Sequence, residues 1–254
     1  MAKRSVELVD IKKGIETCLD NGKRLFDDAY LLHENSRYRS AIPLYIFAYE
    51  EFGKASFLFL RFVRKQPVRK SELERLLSGR GAHLIKIMLD YERVSKVMYG
   101  MGQKGFQSMQ EFAAKYNLPA FRMDYDTAIK YHEMTYRIVH RFHDIKMAFL
   151  YADYHNKWQT QNTFQEGDLR AMCRYLHGHV LRPFLAIKSS MFLLSLGVPF
   201  DASTMTEEQA QQFFQNPFVI QLKELYERYE TAEWYNTTSH GRAALESVDL
   251  RPRY

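Results

Sequence analysis

The chain has 254 residues, 46% of them hydrophobic, enough to bury a sizeable core. Aromatic residues make up 15% against 7 prolines and 12 glycines, which favours long uninterrupted helices over short strands and turns and predicts an all-α fold. The net charge is +6, and the two cysteines, Cys18 and Cys173, lie far apart with no metal-type spacing, so neither a disulfide framework nor a cysteine metal site is expected.

The opening stretch MAKRSVELVDIKKG is charged throughout and lacks the apolar segment of a secretory signal. Together with the cysteine usage it leads to the expectation of a cytoplasmic protein. From Ser5 to about Asn35, apolar residues recur near helical period (Val6, Val9, Ile15, Leu19, Leu25, Ala29, Leu32), predicting a first amphipathic helix.

A second helix is predicted from about Arg37 to Val63, closed by Pro67, and its centre is the run AIPLYIFAYEEFGKASFLFL from Ala41 to Leu60. A helix that is apolar on nearly every side is normally buried. The run is long enough to span a bilayer, but Glu50, Glu51 and Lys54 sit in it, and each charge near a membrane centre costs roughly 2.5–3.5 kcal/mol, so a membrane span is excluded. Glu50 and Lys54 stand at i and i+4 on one face. Ionisable groups in such a helix point either to a structural ion pair or to a working site.

Just beyond lies RFVRKQPVRK, with Arg64 and Lys65 among five cations in ten residues, followed by Arg80. These are candidate phosphate contacts or a solvated helix end whose cations complement the dipole. Ser71 is expected to cap a third helix, loosened or kinked at Gly79 and Gly81, in which His83, Lys86 and Asp90 share one face. That face is either a polar seam within a bundle or a solvent face.

The stretch from Gly100 to Pro119 reads as irregular, with a short helix from Gln107 to Lys115, and is the best candidate for a sub-boundary within a domain spanning residues 1–235. A fourth long helix is expected from about Asp124 to Tyr151 and then a loop through DYHNKWQTQNTFQEGD. Asp168 should cap a fifth long helix to about Leu196. Thr206 and Gln209 form a capping box for a short helix, Pro217 starts a last one to about Trp234, and residues 236–254 are expected to form a loose tail.

Several chemistries are absent on spacing: there is no Gly-rich phosphate loop, no nucleophile elbow, no CxxC pair and no Glu-x-x-His tetrad for a carboxylate-bridged metal. No metal and no cofactor are therefore expected. What remains is acid–base and phosphate chemistry from His, Lys, Arg and Glu, the minimum needed to cleave RNA at a ribose 2′-hydroxyl.

Three segments, in order, carry a resemblance: SRYRSAIPLYIFAYEEFGKA, GAHLIKI and FLYADYHNKW. They resemble the Glu-Glu-x-Gly-Lys-Ala, His-x-x-Lys and Leu-Tyr-Val-Asp-Tyr…Trp segments of the AbiV-type abortive-infection proteins, a branch of the HEPN-like helical superfamily. The last departs from the pattern, with Ala152 in place of Val and no Pro after Trp158. The resemblance implies an HEPN-like bundle of long antiparallel helices with additional C-terminal helices. It implies a role in bacterial anti-phage defence, a homodimer, RNA or the translation machinery as target, and a phage-encoded trigger protein.

Many HEPN proteins are metal-independent ribonucleases using Arg-x(4–6)-His, some with an associated Glu-x-x-x-Lys. Glu50 to Lys54 matches the latter, and three spacings match the former: Arg137 to His143, Arg170 to His177 and Arg174 to His179. The expected site joins Glu50, Lys54, His83 and Lys86 between the second and third helices. There His83 would act as acid or base, Lys86 and Lys54 would neutralise phosphate, and Glu50 would orient Lys54 or His83. The other reading is a non-catalytic protein that blocks a translation component or answers a phage protein.

Overall fold

The computed structural model describes residues 10–78, 82–115, 125–150, 153–154, 158–159, 164–198, 205–229 and 232–248. The first helix, α1 (Ile11–Glu34), starts where the Asp10 carboxylate accepts from the Lys13 amide at 3.1 Å. It ends in a left-handed turn: Ser36, at φ 58°, donates its amide to the His33 carbonyl, and Arg37 donates to Leu32. α2 (Tyr38–Val63) follows at once and runs back along α1, so that Gly22 lies against Phe52, Phe26 against Tyr45 and His33 against Tyr38. Pro43 sits inside α2 without ending it. The same turn closes α2, with Lys65 as the left-handed residue at φ 52° and Gln66 donating to the Arg61 carbonyl.

The third helix expected across Gly79 and Gly81 is two helices, α3 (Lys70–Ser78) and α4 (Ala82–Lys115), and residues 79–81 lie outside the described set. α4 also corrects the irregular region expected from Gly100. The helix continues through it to Lys115, interrupted at Gly102, whose backbone (φ 62°, ψ −175°) is open to glycine and strained for other residues. The single rod expected from Asp124 to Tyr151 is likewise two, α5 (Tyr125–Val139) and α6 (Phe142–Leu150), divided at His140 and Arg141. Within the expected loop a short antiparallel pair forms, β1 (Asp153–Tyr154) with β2 (Trp158–Gln159).

α7 (Glu166–Ser195) is capped one turn earlier than expected: Gln165 is the cap residue, and Asp168 reaches back to accept from its amide at 3.2 Å. α8 (Glu207–Phe214) carries the expected Thr206–Gln209 capping box, and α9 (Pro217–Tyr229) starts at Pro217 as its sequence predicts. The loose tail expected from Asn236 is corrected as far as Val248. α10 (Ala232–Glu246) packs along α7, buries Ala244, Leu245 and Val248, and ends on Arg141, which donates to the carbonyls of Glu246 and Val248.

The result is an all-α fold built on α2, which packs against α1, α4, α6 and α7. α7 runs parallel to α2, Cys173 lying near Tyr38, His179 near Tyr49 and Phe184 near Phe52. Tyr45, Tyr49, Phe52 and Phe59 of α2 are fully buried. Burial of an aromatic or large aliphatic side chain stabilises by about 1.5–3 kcal/mol before entropy is counted, so this helix anchors the core. Among the described residues no helix is long and apolar enough to cross a membrane.

Candidate functional site

α2 and α4 meet at Gly53: a Cβ there would overlap the backbone carbonyl of Lys86. The glycine of the EEFGKA segment thus allows two backbones to touch, bringing Lys86 alongside the charges of α2. Those charges do not pair as expected. Glu50, only 3% exposed, accepts from the ammonium of Lys146 on α6, itself 1% exposed and stacked over the Phe47 ring at 4.4 Å. Lys54 turns to Glu51, three residues back, at the half-buried edge of the helix. The expected role of Glu50 in orienting Lys54 is therefore corrected: Glu50 faces α6, and the boundary carboxylate of Glu51 holds Lys54.

Lys86 is half-buried and feels this whole group. Desolvation holds its pKa below the ordinary lysine value, Glu50 opposes that shift, and Lys54 reinforces it. Two carboxylates and three ammonium groups thus form one nearly balanced cluster. His83 lies in the first turn of α4, but its side chain and all of Arg80 lie outside the described residues. Arg64 and Lys65 are exposed at the end of α2, where their charges favour the helix dipole.

A second polar group lies one turn further along both helices. Asp90, fully buried, accepts from Ser56 Oγ at 2.8 Å and from the Tyr49 hydroxyl at 3.5 Å, with Arg182 of α7 at 4.0 Å. His132 stacks flat on Tyr91 at 4.1 Å, and burial lowers its pKa to about 4, with Arg182 adding to the shift. His179 is caged by Tyr49, Tyr175 and Phe142 at 5.2–5.7 Å, and desolvation takes its pKa down to about 3.

This cage separates the three Arg/His spacings. Arg174 and His179, five residues apart on α7, point about 140° apart by helical geometry: the arginine is exposed and the histidine is in the core. Arg137 is exposed on α5 and His143 half-buried on α6, and the break between the two helices removes their helical relation. Arg170 and His177, seven apart, fall on one face of α7 together with Arg174.

That face meets the α1–α2 turn. Arg170 Nε donates to the Tyr38 hydroxyl at 3.0 Å, and its Nη2 reaches Glu166 at 3.3 Å. The His177 ring packs against Phe26 and Tyr30, both at 5.1 Å, and against Tyr45 at 6.2 Å. From the last turn of α1, His33 contacts Tyr30 and Tyr45 at 6.3 Å, its Nδ1 lying 3.3 Å from the Tyr45 hydroxyl. Burial lowers the His33 pKa, Glu34 opposes the shift, and Arg174 and Arg170 add to it. Two half-buried imidazoles therefore flank the same two tyrosines beside two arginines.

Sequence reasoning missed Lys146, whose signal was a lone lysine in the apolar run IKMAFLY, and His33, whose signal was its spacing of three from Tyr30. Among the described residues no three His, Cys, Asp or Glu side chains gather closely enough to hold a metal ion. Comparison with protein families matches residues 10–174 to the HEPN family described as AbiV. Comparison with curated proteins and with solved structures returns no match.

Proposed function

This chain belongs to the AbiV family of HEPN proteins, and from that premise we propose that it is an abortive-infection protein of bacterial anti-phage defence that arrests growth by metal-independent RNA cleavage. The observation that carries the cleavage reading is the placement of Arg170 and His177 on one face of α7, with the imidazole only half-buried and Arg174 beside it. Of the three matching spacings it alone keeps an arginine and an accessible histidine on one helical face.

In this reading the neutral His177 imidazole takes the proton of a ribose 2′-hydroxyl, and the 2′-oxygen attacks the adjacent phosphorus. Arg170 and Arg174 offset the charge that develops on the phosphoryl oxygens. The bond to the 5′-oxygen breaks and that oxygen takes up a proton, giving a 2′,3′-cyclic phosphate and a 5′-hydroxyl. Tyr38 and Glu166 hold the Arg170 guanidinium in place. In this reading the protein acts as a homodimer in the cytoplasm, on RNA or the translation machinery, in answer to a phage-encoded trigger protein.

One observation favours the second reading, a defence protein that binds a translation component without cutting anything. The carboxylates and ammonium groups of the EEFGKA segment are occupied by one another and by Lys146, an arrangement suited to fixing helix register. Both readings are tested by RNA integrity after induction of wild type, His177→Ala and His83→Ala, with folding checked by circular dichroism and mass by light scattering. Discrete cleavage lost only in His177→Ala, from a protein of two-protomer mass, is expected. Cleavage lost only in His83→Ala would move the site to α4, and intact RNA during full arrest would leave the binding reading.

A further inference from the structure

The surface where α1, α2 and α7 meet contains more than an Arg/His pair. Tyr30 is 43% exposed, although its ring touches both His33 and His177, so it presents apolar area to solvent directly beside two imidazoles. An exposed tyrosine ring is a surface on which an unpaired base stacks, with a stabilisation of about 1–3 kcal/mol per base. Arg174 is exposed on the same face of α7 and close enough to His33 to depress its protonation.

We infer that Tyr30, His33, Arg174 and His177 form a subsite for one ribonucleotide, with its 3′-phosphate between the imidazoles and Arg174 and its base on Tyr30. The inference deepens the RNA-cleavage reading and rests on it for its place in a reaction. It assigns the proton of the 5′-leaving group to His33: while His177 removes the 2′-proton, protonated His33 gives its own to the departing 5′-oxygen, and the two imidazoles exchange protonation states over one turnover.

The groups facing His33 suit that role. Glu34 favours its protonated form, and Tyr45 lies at hydrogen-bond distance from Nδ1 and holds the ring. Arg170 and Arg174 disfavour protonation until a phosphate neutralises them. His177 faces Phe26, Tyr30 and Tyr45. Bound phosphate therefore opposes the shift that lowers the His33 pKa, and affinity falls as pH rises through the His33 titration.

The probe is adenosine 3′-monophosphate, followed through the imidazole C–H resonances of the full chain and assigned with His33→Gln and His177→Gln. Saturable movement of both resonances is expected, with an upward shift of the His33 titration midpoint and affinity weakened about tenfold in Arg174→Ala, as loss of a charge-assisted contact implies. Tyr30→Ala should weaken the nucleotide but leave inorganic phosphate unchanged. Neither resonance moving at millimolar nucleotide overturns the subsite, and equal binding of phosphate and nucleotide overturns the part given to Tyr30.

RNA cleavage by the same preparations reports separately on the parent reading. Cleavage without nucleotide binding at these residues removes the subsite and leaves that reading. Binding without cleavage removes the reading and leaves the subsite. A pH profile for cleavage that keeps its alkaline limb in His33→Gln would strip His33 of the acid role.

Discussion

His179 shows how far a side chain's surroundings outweigh its spacing. It completes an Arg-x(4)-His pattern with Arg174, yet three aromatic rings enclose it, and its neutral form is the one the fold accommodates. Its ordinary pKa of 6.5 falls to about 3. Between those values the unfolded chain takes up a proton that the folded chain refuses, so stability drops as pH is lowered through the window, by about 1.4 kcal/mol per pH unit. His132, lowered to about 4, acts in the same direction over the upper part of the window. Urea midpoints should fall steadily from pH 7 to 4.5 in wild type, as this window requires. In His179→Phe they should fall with a visibly smaller slope. A slope unchanged by the substitution would show that His179 titrates normally.

At the scale of elements, the crossing of α2 and α4 turns on Gly53. Helix propensity alone predicts that Gly53→Ala stabilises, since glycine in a helix interior is worse than alanine by about 0.8–1.0 kcal/mol. The packing predicts the opposite sign, because the added methyl would overlap the Lys86 carbonyl, and backbone cannot move aside as a side-chain tip can. Overpacking of this kind costs about 1–3 kcal/mol, which outweighs the propensity gain. Chemical denaturation of Gly53→Ala should therefore show a net loss of stability, and a gain would mean that the helices separate easily. The crossing also brings Lys86 to the charges of α2, so the same substitution should disturb that cluster. Helix starts, by contrast, were legible: the Thr206–Gln209 box and Pro217 mark theirs because capping is encoded within three or four residues.

For the whole molecule, α7 joins the two halves of the functional reading. One side of its first turns presents Arg170, Arg174 and His177 to the α1–α2 turn. The other side receives α10, with His240 on Asp168 at 2.9 Å and Gly241 packed against the Ala171 backbone. Arg141, at the break between α5 and α6, ties the end of α10 down. Deleting residues 232–254 should then lower the thermal midpoint and expose apolar surface of α7 to a hydrophobic dye, and an unchanged midpoint would show α10 to be an accessory. Composition could not reveal this tie, since the stretch after Asn236 is short of large apolar residues and its anchor, Arg141, lies about a hundred positions earlier.

The sequence by itself determined that the protein is helical, that the Ala41 to Leu60 run is buried, and which family motifs it carries, because periodicity, caps and motifs are properties of neighbouring residues. Only the tertiary structure decided that Glu50 answers to Lys146, 96 residues on, and not to Lys54. Only it showed that the predicted rods divide between α3 and α4 and between α5 and α6, and that His177 and His33 flank the same two tyrosines while His179 is sealed in the core. The physical reason is common to all three. Which charges meet and which histidines see solvent depends on where helices cross, and crossing points are set by close contacts such as Gly53 on Lys86 and Gly22 on Phe52, between residues distant in the chain.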